Sequence, residues 1–229
     1  MDFSNFKNAN GFELHDHFMS KNLDDLTIEE LAYIHLTRMH RRTLIKNANV
    51  SSSLYDLIET AQASAINART RIYTPMLASF AVLDQIGGAY RNKSKATNYK
   101  NGIKAALHSF SAYTKDEIEY LTTLRNGLYH DGSLLSKNDN GKTNVVFRLD
   151  PNAPKTITMP RKPWDGIYHD SLDDYISKIN VLSLKNDVEK IALECLDLLQ
   201  NGALSFEISD CREFFYKFLF VSPRASAAW

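Results

Sequence analysis

The stretch Leu124-Arg125-Asn126-Gly127-Leu128-Tyr129-His130-Asp131-Gly132 sets a permanent cation, a side-chain amide and an imidazole close together in the chain. On a helix, Asn126 and His130 are i, i+4 neighbours on one face, while Arg125 lies about 140° around the axis from His130. The long arginine side chain still reaches the same space if the helix ends near the histidine. Together the three groups suit metal-free cleavage of a phosphodiester. A histidine, with an ordinary pKa of about 6.5, can take the proton of a ribose 2′-OH or return one to a leaving oxygen. The planar fork of an arginine can stabilise charge gathering on phosphorus. The amide can orient either the histidine or the phosphate. Arg125 is the one arginine in the chain with a histidine five to seven places downstream. The same pattern also fits a plain helix end whose polar groups are satisfied locally.

The elements that must hold this motif are legible around it. Thr114-Lys115-Asp116-Glu117 offers a capping box for a helix running through Ile118, Leu121, Leu124 and Leu128, and Gly132 should stop it. Upstream, Thr74-Pro75 predicts a helix entry, and Met76 to Ile86 is apolar almost all round, which suits a central buried helix. Gly87-Gly88 would end that helix or let another pack close. Asp84 is the odd residue in it: a buried carboxylate needs a partner. It would be met by an arginine as a structural pair, or face the motif helix and orient His130.

Further helices are predicted from a capping box at Thr27 and Glu30 with Leu31, Ile34, Leu44 and Ile45 following, and from the stripe Leu54, Leu57, Ile58, Ala61, Ala65. A shorter one is expected near Tyr99 to Phe110. The last two are expected at Leu184 to Leu199, with Cys195 in the core, and at Ser209 to Phe220. Between them the period changes. Residues 143–149 and 155–159 are β-like runs separated by Asp150-Pro151-Asn152-Ala153-Pro154, which predicts an inserted β-hairpin near 143–160. The expected architecture is mainly α, an up-and-down helical bundle with that one insertion. Residues 1–22 are polar and Asn-rich, expected as a flexible segment before a single domain at 23–229.

Composition narrows the function classes. Lys+Arg and Asp+Glu both number 27, so no global basic field advertises nucleic acid, although a local stripe can still guide phosphates. The two cysteines, Cys195 and Cys211, build no disulfide framework or zinc ribbon and suit a reducing compartment. No signal peptide or membrane-length apolar run is read, so a cytoplasmic protein without membrane contact is expected. No P-loop, dinucleotide-binding glycine fingerprint or nucleophile elbow occurs, which argues against an ATPase, a dehydrogenase or an α/β hydrolase. His15-Asp16-His17 has ligand-type residues but no second cluster to complete a cage, so neither metal nor cofactor is expected. Asp24-Asp25 and Asp173-Asp174 read as helix-start carboxylates.

The Arg125-Asn126-x-x-x-His130 segment resembles the Arg-(polar)-x-x-x-His signature of the HEPN superfamily, the higher eukaryotes and prokaryotes nucleotide-binding domains. Many of these are metal-independent ribonucleases in toxin–antitoxin, abortive-infection and antiviral systems. The resemblance implies catalytic roles for Arg125, Asn126 and His130, single-stranded RNA as substrate, and a homodimer whose two motif helices share one cleft. An antitoxin or defence-system partner goes with it. It also leaves an alternative, a catalytically silent module binding RNA, a nucleotide or a protein. Some members carry a modified tyrosine two places after the histidine; here that position is Gly132, and Tyr129 precedes the histidine instead. Substrate-binding candidates are Tyr129 and the basic run Arg91, Lys93 and Lys95, with Lys100, Lys104, Tyr90 and Tyr99 interleaved. Arg38, Arg41, Arg42 and Lys46 form a second basic group. For both groups an ordinary solvated surface is the competing reading.

Overall fold

A computed structural model describes residues 1–37, 42–137 and 144–223. Its axis is α4 (Tyr73–Ala89), and the sequence of that helix explains why. Met76, Phe80, Val82, Leu83 and Ile86 are all fully buried and point to several sides, so neighbours must cover the helix nearly all round. α3 (Ser53–Ile66), α5 (Gly102–Phe110) and α7 (Val181–Gln200) do so. Gly87 marks the tightest crossing: a Cβ there would lie 1.8 Å from the carbonyl oxygen of Gly102 in α5. Pro75 falls in the first turn of α4, where its missing N–H leaves no helix bond unmade.

The opening segment is tied in more than its composition suggests. A short helical turn at Phe3–Asn8 leads into α1 (Gly11–Met19), capped by Asn10 and Glu13. Phe6 and Phe18 pack against Tyr33 of α2 (Ile28–Leu36), and Leu14 joins the same core. His17, read above among possible metal ligands, instead meets Glu30 at 2.6 Å.

α2 begins at the expected Thr27–Glu30 capping box but ends at Leu36, so the helix expected through Leu44 and Ile45 is too long. Those two residues sit in β1 (Thr43–Ile45), where Ile45 turns inward and Leu44 does not. β1 pairs with β2 (Ala48–Ser52), and β2 with β9 (Leu219–Pro223), which takes over where α8 (Cys211–Phe218) stops. A second small sheet joins β3 (Tyr90–Asn92) to β8 (Leu204–Phe206). Arg38 and Arg41 lie outside the described residues; Arg42 and Lys46 are exposed on either side of β1.

The region after the motif helix α6 (Lys115–Asp131) departs furthest from expectation. β5 (Val145–Leu149) and β6 (Ile157–Thr158) do not form a hairpin. β7 (Ile176–Ile179) lies between them, parallel to β5 and antiparallel to β6, and β4 (Leu135–Ser136) adds the outer edge. The physical reason lies in the link Asp150–Pro154. Asn180 donates to the carbonyls of Pro151 and Ala153 at 3.1 and 2.9 Å, and the Asp150 N–H reaches the Ile179 carbonyl at 2.9 Å. The link is thus fastened to the end of β7 rather than folded into a turn. Thr143, the first residue of the expected hairpin, lies outside the described residues.

These three sheets correct the expected mainly helical up-and-down bundle with one inserted hairpin. With 53% helix and 16% strand, the fold is mixed, with helices packed around α4 and sheets at the margins.

Candidate functional site

α6 is set at both ends by local chemistry. Thr114 and Glu117 form the capping box, the Thr114 N–H donating to the Glu117 carboxylate at 2.8 Å. At the other end Gly132 takes a left-handed φ of 61°, and the Ser133 N–H returns to the Gly127 carbonyl at 3.0 Å. His130 therefore falls in the last turn, as the sequence implied.

Three bonds run along the antiparallel seam between α6 and α4. Tyr73 donates to the Gly132 carbonyl at 2.9 Å, and Tyr129 donates to the Leu77 carbonyl at 2.8 Å. Further along, Arg125 Nη2 meets Asp84 Oδ2 at 2.9 Å. Asp84 thus finds an arginine, and it is the motif arginine. The guanidinium carbon also lies 4.7 Å from the centre of the Tyr129 ring, and Arg125 Nη1 reaches Asn126 Oδ1 at 3.3 Å. Burial pushes the Tyr129 phenol up from its ordinary value, which keeps it a neutral donor.

The helix period divides the motif as expected. Arg125 and Tyr129 face α4, whereas Asn126 and His130 are exposed on the adjoining side. Among the described residues the His130 side chain forms no hydrogen bond or ion pair. Within one chain the arrangement offers a fixed guanidinium half a turn around the helix from a solvent-facing imidazole.

The basic candidates lie elsewhere. Arg91, Lys93 and Lys95 follow the far end of α4, roughly 25 Å along its axis from the turn that touches Tyr129 and Gly132. Arg91 is turned inward: its guanidinium donates to the carbonyls of Gly87, Tyr90 and Tyr99, with Glu207 at 3.6 Å. Its terminal nitrogens are thus turned to the protein's own acceptors. Lys93 and Lys95 are exposed, each donating to one carbonyl, Gly202 at 2.8 Å and Ser111 at 3.3 Å. Lys104 is paired with Glu119 at 2.6 Å.

The sequence reading missed a cleft of about 510 Å³ at the opposite end of α6, bordered by Tyr113, Glu117, Thr156, Asn186, Asp187 and Lys190. Asp187 Oδ2 accepts from Tyr113 at 2.7 Å and from Thr156 at 2.5 Å, while Lys190 stands 3.2 Å from Oδ1. Burial works against the Asp187 charge, but the bonds from Thr156, Tyr113 and Lys190 outweigh it and hold the carboxyl below its ordinary value. No signal joined these residues, because they come from three separate elements. Only the polar Asp187 beside the apolar Val188 stripe hinted at a partner. Among the described residues no group of three or more His, Cys, Asp or Glu side chains gathers as a metal cage would, and no helix is long and apolar enough to cross a membrane. Comparisons with protein-family models, curated proteins and solved structures give no match to this chain.

Proposed function

We propose that this chain is a metal-independent endoribonuclease of the HEPN kind, cleaving single-stranded RNA as a homodimer. The observation that carries this reading is His130: exposed, in the last turn of α6, on the same helix as a guanidinium already held in place. A histidine kept only for packing would be expected against the core. In the reaction the ribose 2′-oxygen attacks phosphorus while His130 takes its proton. Arg125 stabilises the charge on the phosphoryl oxygens, and the departing 5′-oxygen receives a proton from a second imidazole. One protomer shows one such histidine at this helix end, so the second is the symmetry mate's, with closed two-fold pairing the commonest way to bring it there. The products are a 2′,3′-cyclic phosphate and a 5′-hydroxyl. A role in defence or a toxin–antitoxin response goes with the resemblance.

The Asp84–Arg125 ion pair favours a second reading, a silent RNA-binding module, because the motif cation is already met by a carboxylate. One experiment separates the two. Purified protein is given a panel of single-stranded RNAs with EDTA present, alongside His130→Ala and a substrate carrying a 2′-deoxy sugar at the cut site. The expected outcome is cleavage that survives EDTA, leaves a cyclic phosphate, stops with the deoxy sugar and falls about 10²–10⁴-fold in His130→Ala. Equal cleavage by both proteins would reject the nuclease reading; binding without cleavage would establish the silent module.

A further inference from the structure

Asp84 is the one residue of α4 with a charged side chain, in a helix whose other faces bury Met76, Phe80, Leu83 and Ile86. Its carboxylate is only partly covered, with 32% of the side chain exposed, yet on so apolar a helix it still gains from an opposite charge. Its partner is the motif arginine, and the contact is single-pronged, Arg125 Nη2 to Asp84 Oδ2 at 2.9 Å. Two further contacts fix the same guanidinium: Asn126 Oδ1 on Nη1 at 3.3 Å, and the Tyr129 ring at 4.7 Å. That ring is itself held by the bond from its hydroxyl to the Leu77 carbonyl on α4. Arg125 Nε is buried and meets no acceptor among the described residues, so the anchoring contacts are those on the two terminal nitrogens and the ring face. A guanidinium carries five N–H groups. With one bond on each terminal nitrogen, each keeps one N–H that no described contact uses, enough for two phosphate oxygens.

We propose that Asp84 is a positioning residue for Arg125. It holds the guanidinium over the Tyr129 ring while leaving donors for a phosphate, and its negative charge lowers the affinity of that site for phosphate in the resting protein. The inference rests on the nuclease reading above, and it makes opposite predictions for binding and for turnover. Asp84→Asn keeps the size and an acceptor oxygen but removes the charge. The freed arginine should bind RNA more tightly and hold it less well placed, since misplacement of about 1 Å can cost on the order of 10²-fold in rate.

The test measures kcat, KM and the affinity for a 2′-O-methyl single-stranded RNA that cannot be cut, in wild type, Asp84→Asn and Asp84→Glu. Each is repeated with Arg125→Gln, and thermal unfolding is followed throughout. The expected result for Asp84→Asn is a kcat lower by about 10–100-fold with binding tighter by about 3–10-fold, the latter absent in the Arg125→Gln background. Asp84→Glu should recover much of the kcat. Simple loss of a structural ion pair would lower the unfolding temperature and leave kcat and KM of the folded protein unchanged; that result overturns the proposal, as does tighter binding that persists without Arg125. A wild type that cleaves while Asp84→Asn cleaves equally well removes this inference alone. A wild type that binds RNA without cutting removes the nuclease reading, and tighter binding through Arg125 then upholds or rejects the charge argument by itself.

Discussion

Asp84 and Gln85 are neighbours on α4, yet they serve opposite kinds of site. Asp84 faces the half-open seam and the motif arginine. Gln85 faces inward, its Oε1 3.2 Å from His35 Nε2 and 2.9 Å from the Ser53 hydroxyl. His35 is fully buried, and its Nδ1 lies 2.7 Å from the Tyr90 hydroxyl. Phe214 and Phe218 pack against its ring, and among the described residues burial and the Gln85 bond are what act on its charge. Burial pulls the His35 pKa down to about 4, which leaves a neutral ring near neutral pH. His130 has none of these contacts and stands in solvent. Two histidines of one chain are thus separated by environment: one is a satisfied part of the core, and the other is exposed at a helix end.

Exchanging the two histidines' fates gives the largest expected effects. His130→Ala should abolish turnover by the factor given above and leave the unfolding temperature nearly unchanged, since surface substitutions usually fall within about 0.5 kcal/mol. His35→Leu should do the reverse. It strands the fully buried Tyr90 hydroxyl, at about 1–3 kcal/mol for an unsatisfied polar group, while Gln85 loses one bond and keeps that from Ser53. Denaturant titration and RNA cleavage on both variants check the contrast, and equal stability losses in the two would break it.

A smaller effect reads the buried site by pH. Because the folded-state pKa of His35 lies below its unfolded value of 6.5, the unfolded chain binds the extra proton first. Stability from this group is therefore complete above about pH 6.5 and is lost as pH falls towards 4, by about 3 kcal/mol in all. Glu30 and Asp187 have lowered carboxyl pKa values, so their contributions begin to fade as pH falls to the ordinary values of 4.5 and 3.8 and are lost below them. His35→Gln should flatten the stability curve between pH 6.5 and 4 relative to wild type. Unfolding free energies measured across that window decide it, and an unflattened curve in His35→Gln would refute the buried-neutral assignment.

The sequence made the motif legible because every device near it is local. The Thr114 capping box, the Leu121–Leu128 stripe and Gly132 all act within a few residues, and the structure places each as read. α4 was legible for the same reason, its uninterrupted apolar run. What was not legible depended on distant pairing. β7 contributes only four residues and splits an expected hairpin by inserting between β5 and β6. β1 occupies residues whose spacing also fits a helix. Asp84 was conspicuous as a carboxylate needing a partner, but only the seam between α4 and α6 identifies Arg125 as that partner. Arg91 shows the converse: a basic residue in a basic run, its donors already committed to backbone carbonyls.

The smallest expected effect concerns the basic run at the far end of α4, and it tests whether RNA extends beyond the motif. Lys93 and Lys95 are exposed, and each keeps donors beyond its single carbonyl bond. If both contact phosphates, their neutralisation removes two counterions from those released on binding. For a single strand the slope of log affinity against log salt changes by about 0.7 per contact, so the double variant Lys93→Gln/Lys95→Gln should bind with a slope shallower by roughly 1.4. Affinity should weaken at low salt and converge with wild type at high salt, because the lost term is electrostatic. The substrate must be long enough to span the length of α4; an oligonucleotide covering only the motif should show no difference between the proteins. An unchanged slope with long RNA would return Lys93 and Lys95 to an ordinary solvated surface and confine recognition to the α4–α6 seam.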